Sequence, residues 1–178
     1  MAPADALRAL PVLARSPARL RAELRRGRSP DLARRRLIAA VSLAGGASMA
    51  VVSLFQMGAI DHLPDPPLSG VDSDKVTSSD LAYTLALPDA PLALVSFAAN
   101  LPLAAWGGGG RASDTPGIPI AAAAKAAVDA IVSGWLFVQM PRRERAWCAY
   151  CIVAAAANVA VLALSLPEAW RALRRRAR

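Results

Sequence analysis

The sequence contains few residues of the kinds that build metal centres or disulfide frameworks. Its 178 residues include two cysteines and one histidine. A structural zinc site takes four ligands, mostly Cys or His, and a small secreted domain relies on several cysteine pairs. This composition disfavours a zinc site and excludes a disulfide-dense secreted module, so we expect no bound metal.

Charged residues are also scarce, at 19% of the chain, whereas hydrophobic residues reach 55%. Soluble domains carry about 25% charged residues. Four segments are long enough to cross a bilayer, which takes about 17–25 apolar residues. They are Leu37–Ile60, Ala90–Trp106, Ile118–Met140 and Cys148–Leu166. The pattern predicts an all-α fold, an integral-membrane four-helix bundle with a long outer loop between helices 1 and 2.

The basic residues are unevenly placed, which predicts the topology. Nineteen of the 21 basic residues are Arg, and they concentrate in residues 1–36 and 167–178. With four spans, 16 basic residues fall on the side of the termini and four on the other. The positive-inside rule then places both termini in the cytoplasm. We therefore expect a basic cytoplasmic segment (1–36), a membrane domain (37–166) and a basic cytoplasmic tail (167–178), in contact with membrane lipid and not with nucleic acid.

Polar and small residues inside the spans predict packing contacts. Lys125 and Asp129 lie four residues apart in the third span and share one helix face. This spacing favours an internal ion pair, or a lysine whose ammonium reaches the cytoplasmic interface. Gly45 and Gly46 in the first span favour a close approach of two helices.

The motif with the clearest chemistry is Trp147-Cys148-Ala149-Tyr150-Cys151. A C-x-x-C pair is a zinc half-site, a redox dithiol or a pair of inert buried thiols. Here the apolar run begins at Cys148, so both cysteines fall in the first turn of a membrane helix. The free amides and dipole of a helix N-terminus stabilise a thiolate. This position favours redox chemistry.

A polar residue continues the same helix face. Positions 148, 151, 155 and 158 recur at intervals of three or four residues, which predicts a stripe of Cys148, Cys151, Ala155 and Asn158. Asn158 lies about two turns below the cysteines and makes either an interhelical hydrogen bond or a hydrogen bond to a ligand. A dithiol that faces a membrane pocket indicates a lipid-soluble electron partner, and a quinone fits.

Residues 37–166 resemble the vitamin K epoxide reductase family. The resemblance rests on the four spans, the long outer loop and the C-x-x-C that opens the fourth span. In the loop, the segment 73–79 (SDKVTSS) is similar to the family's Cys-Ser-Lys-Val-x-Ser-Ser, and Leu87-Pro88-Asp89 stands where homologues have Ile-Pro-Asn. Asn158 follows Cys151 by seven residues, as an Asn does in the family.

The resemblance implies a role for each of these residues. Cys151 is the thiol that reduces a bound quinone of the menaquinone or ubiquinone type, and Cys148 exchanges with an external thioredoxin-like dithiol protein. Ser79, Asp89 and Asn158 help to form the quinone pocket. The implied location is the inner (plasma) membrane of a bacterium.

The chain departs from the family at three positions. The family carries a second cysteine pair in the outer loop, and those positions are Asp65 and Ser73 here. The family's Tyr four residues after the second active cysteine is Ala155. Two hypotheses follow. The chain is a thiol:quinone oxidoreductase that forms disulfide bonds, or it is a non-catalytic membrane scaffold or accessory subunit that retains the fold.

Overall fold

The computed structural model describes residues 16–177, and this part of the chain is helical with no β-strand. The all-α class is thus confirmed. The α-helices described are α1 (Pro17–Arg26), α2 (Pro30–Gln56), α3 (Ser73–Thr77), α4 (Asp89–Ala105), α5 (Arg111–Asp114), α6 (Gly117–Gln139) and α7 (Ala149–Arg176). A 3-10 turn, Asp80–Tyr83, precedes α4, and a π-helical turn, Met140–Glu144, follows α6. Residues 1–15 of the predicted basic segment lie outside the described residues.

Three helical segments are long and apolar enough to cross a membrane. They are Pro30–Gln56, Gly117–Glu144 and Ala149–Arg176, and α4 is a shorter apolar helix of 17 residues. Two of the predicted boundaries differ from the observed ones. Helix α2 begins at Pro30, where Ser29 caps it by accepting a hydrogen bond from the Leu32 amide. Helix α7 continues through Pro167, so most of the predicted separate tail belongs to the last long helix.

Helix α2 packs against both α4 and α7. A Cβ atom added at Gly45 would lie 2.6 Å from the ring of Phe97 on α4 and 3.0 Å from Ala157 on α7. Only glycine permits this approach, because any side chain here would overlap the aromatic ring. The predicted packing role of this glycine is therefore confirmed.

A buried charge cluster fixes the ends of α2, α4 and α7 to one another. Arg111 makes a bidentate ion pair with Glu168, at 2.9 Å and 2.8 Å. Arg35 on α2 lies beside the same carboxylate and donates hydrogen bonds to the carbonyls of Trp106 and Gly108, just beyond α4. These three charged side chains are 3–4% exposed. The cluster closes this end of the helix assembly, which we call the Arg35 end.

Lys125 and Asp129 form an ion pair of 2.6 Å within α6, as their spacing predicts. The pair does not stand alone. The Lys125 ammonium also donates to Ser96 at 2.8 Å and to Asn100 at 2.9 Å, both on α4. The polar contact therefore joins α6 to α4 inside the membrane-capable region, and the alternative of a lysine that reaches the interface is not observed.

Candidate functional site

Cys148 and Cys151 form a disulfide at the start of α7, with their Cα atoms 5.2 Å apart. Cys148 is the N-cap residue, and its sulfur accepts a hydrogen bond of 3.1 Å from the Cys151 amide. This amide is one of the first in the helix, which have no partner within it. The local geometry thus directs the positive end of the helix dipole toward the sulfurs, which stabilises a thiolate when the bond is reduced.

The two cysteines differ in their surroundings. Cys148 is 0% exposed and packs in a cluster with Val76, Met140 and Ala146, whereas Cys151 is half-buried. Val76 belongs to the connection between α2 and α4 (residues 57–88), for which we keep the name outer loop from the sequence analysis, and this loop covers Cys148. With the loop in this position the Cys148 sulfur is not accessible from solvent.

Backbone hydrogen bonds hold the outer loop against the C-x-x-C motif. The Trp147 amide donates to the Gly70 carbonyl at 2.8 Å, and the Asp72 amide donates to the Trp147 carbonyl at 2.9 Å. One residue before Cys151, the Tyr150 hydroxyl donates to the Pro64 carbonyl at 2.7 Å. The loop is therefore attached on both sides of Cys148.

Asp65 and Ser73 provide the side-chain part of this attachment. The Ser73 amide and hydroxyl both donate to the Asp65 carboxylate, at 2.7 Å and 2.5 Å. The Ser73 oxygen in turn accepts a hydrogen bond of 3.1 Å from the Ala149 amide at the N-terminus of α7. At the two positions where the resemblance places a loop cysteine pair, this chain thus has a hydrogen-bonded clasp. We call Asp65, Ser73 and the Ala149 amide the loop clasp.

A second carboxylate organises the base of the loop. Asp74 accepts hydrogen bonds from the Leu63 amide and from the exposed His62 ring, at 2.8 Å and 2.9 Å. The hydrogen bond to Asp74 raises the pKa of the His62 imidazole above its ordinary value. In residues 16–177 no group of three or more His, Cys, Asp and Glu side chains is arranged to hold a metal ion.

A cavity of about 510 Å³ lies between α2, α4, α6, α7 and the outer loop. Its walls are mostly apolar. Cys151 lines it, together with the other residues that the sequence assigned to a quinone pocket, Ser79, Asp89 and Asn158. Cys148 does not line it. The fold therefore brings four of the five predicted site residues to one cavity and places the fifth behind Cys151, under the loop.

The polar groups of the cavity differ in their free hydrogen-bonding capacity. Ser79 donates its hydroxyl proton to the Val76 carbonyl at 2.8 Å, which leaves its oxygen as an acceptor. Asp89 accepts a hydrogen bond of 2.8 Å from Gln56. Asn158 has no side-chain hydrogen bond to any of the described residues, so the interhelical bond considered from the sequence is not observed. Its amide remains available to a ligand.

The predicted stripe on α7 requires one correction. Cys151, Ala154 and Asn158 line the cavity, whereas Ala155 is buried against neighbouring helices and Cys148 lies outside the cavity. Cys148 lies outside because it is the N-cap and has extended backbone angles, so helical spacing does not apply to it.

Three lining or supporting residues were not anticipated as part of a site. Gln56, the last residue of α2, donates to Asp89 and to the Thr77 carbonyl, and its oxygen accepts from the Ala90 amide at 3.1 Å. Ser96 and Asp129 line the cavity wall. The only signal in the sequence was the presence of a charged residue within an apolar span, which favours a partner or a cavity.

The model of the vitamin K epoxide reductase family matches residues 36–166, which is most of the chain. The protein therefore belongs to the vitamin K epoxide reductase family. No curated protein and no solved structure gives a significant match. Membership of this family and the three helices that are long and apolar enough to cross a membrane together define an integral membrane protein of an oxidoreductase family.

Proposed function

We propose that this protein is a membrane thiol:quinone oxidoreductase that forms disulfide bonds. The observation that carries the proposal is the position of Cys151 on the wall of a mostly apolar cavity that Ser79, Asp89 and Asn158 also line. A redox-active sulfur next to an apolar cavity suits an electron acceptor that dissolves in lipid. In this proposal Cys148 and Cys151 are the catalytic residues.

The cavity fits a quinone of the menaquinone or ubiquinone type. Small-molecule sites measure about 300–1,000 Å³ and combine apolar walls with a few polar groups, and this cavity has both properties. The free amide of Asn158 and the Ser79 oxygen supply polar contacts to the ring substituents. A bound quinone supplies an acceptor for two electrons and two protons.

The thiol half-reaction takes place at Cys148. A thiolate of an external thioredoxin-like dithiol protein attacks the Cys148 sulfur, the Cys148–Cys151 bond breaks, and Cys151 leaves as a thiolate. The partner's second thiolate then releases Cys148, and the partner departs as a disulfide. As the Cys148–Cys151 bond forms again, the two cysteine thiolates pass two electrons to the quinone. The two protons that complete the reduction are equal in number to those that the partner's thiols lost on forming their disulfide.

This route requires the outer loop to open, because Cys148 is fully covered. Asp65 and Ser73 stand at the positions where the family has a loop cysteine pair that passes electrons to the C-x-x-C motif. This chain has no thiol in the loop, so the partner has to reach Cys148 directly. Opening breaks the loop clasp and the contacts of Trp147 and Tyr150. The loop accordingly limits how fast the partner is oxidised.

The proposed topology has four spans and both termini in the cytoplasm of a bacterial inner membrane. Helix α4 is the shortest span, since 17 residues at about 1.5 Å per residue cover about 25 Å. The Arg35 end then faces the cytoplasm, and the outer loop and the disulfide face the oxidising side.

The alternative is a non-catalytic scaffold or accessory subunit, which the missing loop cysteines and the buried Cys148 favour. One experiment separates the two. Purified protein in detergent is extracted with organic solvent and examined for quinone, and it is then mixed with a reduced thioredoxin-like protein and a short-chain quinone. Bound quinone, together with thiol-dependent quinone reduction that is lost in Cys151→Ser, supports the enzyme. Absence of both in the wild type supports the scaffold.

A further inference from the structure

Asp129 and Ser96 form a polar wall of the cavity. Asp129 accepts a hydrogen bond from Ser96 at 2.9 Å and pairs with Lys125 at 2.6 Å. Lys125 is further held by Asn100, whose amide donates to Ser42 on α2 at 3.1 Å. Three helices thus fix the position of the Asp129 carboxylate, and the role proposed above for the cysteines does not use it.

This wall lies at the depth of Asn158. Asp129 is ten residues from the end of α6 at Gln139, and Asn158 is nine residues from the start of α7 at Ala149. Both are therefore about 13–15 Å below the outer ends of their helices. Both line the same cavity, whereas Ser79 and Asp89 line it at its outer end. The cavity accordingly has polar groups at two depths.

The hydrogen bonds of the network determine what the wall offers to a ligand. The three ammonium protons of Lys125 are used by Ser96, Asn100 and Asp129. The Ser96 hydroxyl proton is used by Asp129. Each carboxylate oxygen of Asp129 accepts one hydrogen bond and keeps a further lone pair. The wall therefore presents acceptors to the cavity and no free donor.

We propose that Asp129, positioned by Lys125 and Ser96, binds a ring hydroxyl group, so that the cavity holds the hydroquinone more tightly than the quinone. The inference rests on the proposed function and extends it to the reduced form of the ligand. The ring oxygens of a quinone only accept hydrogen bonds, whereas those of a hydroquinone also donate. A carboxylate distinguishes the two forms for this reason.

The preference has a thermodynamic consequence. A hydrogen bond to a charged group corresponds to a factor of about 10 to 100 in affinity. Tighter binding of the reduced form raises the reduction potential of the bound couple, by about 30 mV for each tenfold difference in a two-electron reaction. The cavity thereby favours transfer of electrons from Cys151 to its ligand.

The test measures binding and not activity. In a Cys148→Ser/Cys151→Ser background, which exchanges no electrons, a short-chain ubiquinone and its hydroquinone are titrated anaerobically, and binding is followed by tryptophan fluorescence, since Trp135 lines the cavity. We expect the hydroquinone to bind with an affinity about ten times that of the quinone, or higher. Equal affinities would overturn the inference and leave the proposed function standing. Binding of neither form would count against the proposed function itself.

Variants of the wall then identify the cause of the preference. Lys125→Met with Asp129→Leu removes the pair without leaving an unpaired buried charge, and the affinity ratio should fall to about one while the quinone still binds. Ser96→Ala keeps both charges and should reduce the affinity ratio several-fold. This variant tests the wall if the double variant does not fold. Ser165→Ala is the control, because this buried serine of α7 donates to the Val161 carbonyl and does not line the cavity. The inference is contradicted if the affinity ratio is unchanged in the Lys125/Asp129 variant. If that variant does not fold, an unchanged ratio in Ser96→Ala contradicts it.

Discussion

Asp65 and Ser73 are joined by two hydrogen bonds, and Ser73 passes the contact on to the first amide of the helix that carries the disulfide. A non-covalent clasp therefore stands between the outer loop and the C-x-x-C motif. It is formed by side chains that a reductant does not affect. At these two positions the loop is therefore held by hydrogen bonds and not by a disulfide.

Removal of the clasp should expose Cys148. In reduced protein we expect Asp65→Ala to increase the rate of alkylation at Cys148 by about tenfold to a hundredfold, because a hydrogen bond to a charged acceptor contributes about 1.5–3 kcal/mol to closure. The rate is measured by mass spectrometry with a small thiol reagent. Asp80→Asn is the matched control, since Asp80 is exposed in the same loop. Equal rates for Asp65→Ala and wild type would show that the clasp does not limit access.

The two cysteines should behave differently when each is removed. In Cys151→Ser the remaining Cys148 has no partner to release it, so a mixed disulfide with the external dithiol protein should accumulate as a reducible heavier species. Cys148→Ser should trap little, because Cys151 lies about one turn deeper, roughly 4–5 Å along the helix. Non-reducing electrophoresis measures both. If neither variant traps a partner, the scaffold is the better explanation.

The buried carboxylate at the Arg35 end should contribute strongly to stability. Glu168→Gln leaves Arg111 and Arg35 without their counter-charge, and breaking a buried ion pair costs about 3–5 kcal/mol. We expect a clear drop in the thermal midpoint in detergent. Asp31→Asn serves as the control, since its partners Arg34 and Arg171 are partly exposed and such pairs contribute about 1 kcal/mol or less. Equal shifts in the two variants would argue against a special role for Glu168.

His62 should titrate above its ordinary pKa because Asp74 stabilises the protonated ring. The sign of the effect on stability follows from this direction. The contribution of the pair is complete below the pKa of the unfolded state and is lost as the pH rises through the raised pKa of the folded state. Nuclear magnetic resonance of the single histidine measures the titration. Asp74→Asn should return it to the ordinary value, and no change in this variant would exclude Asp74 as the cause.

A reporter that becomes active only outside the cytoplasm should be inactive when it is fused after Arg178. The expectation follows from the 16 basic residues on the side of the termini and four on the other. The same reporter inserted in the exposed outer loop, next to Leu68, should be active. Activity of the C-terminal fusion would reverse the topology and place Cys148 on the reducing side.

The lengths of the apolar segments and the four-residue spacing of Lys125 and Asp129 were sufficient to predict the helical class and this ion pair. These features are local, since each depends on residues of one helix. The end of α7 was not predictable in this way, because Pro167 lies in a helix that the distant contact between Glu168 and Arg111 holds in place. The role of Gln56 at the cavity was not predictable for the same reason, since its three hydrogen-bond partners lie more than 20 residues away along the chain.

The resemblance to the family identified cavity residues that the hydrophobic pattern of the sequence does not indicate. Ser79 and Asp89 are separated from Cys151 by more than 60 positions and line the same cavity. Their roles remain predictions. The burial of Cys148 was not foreseen, because it depends on backbone pairing between Gly70 and Trp147, which side-chain patterns do not reveal.

The chain contains one disulfide and no other cysteine. An equilibrium redox titration of this protein should accordingly follow a single two-electron curve with one midpoint, and no partially oxidised isomer with shuffled sulfur pairing can form. Every pair of electrons that enters has to leave before a second pair is accepted. In the proposed function, turnover is therefore strictly alternating, with the dithiol partner and the quinone acting in succession on the Cys148–Cys151 bond.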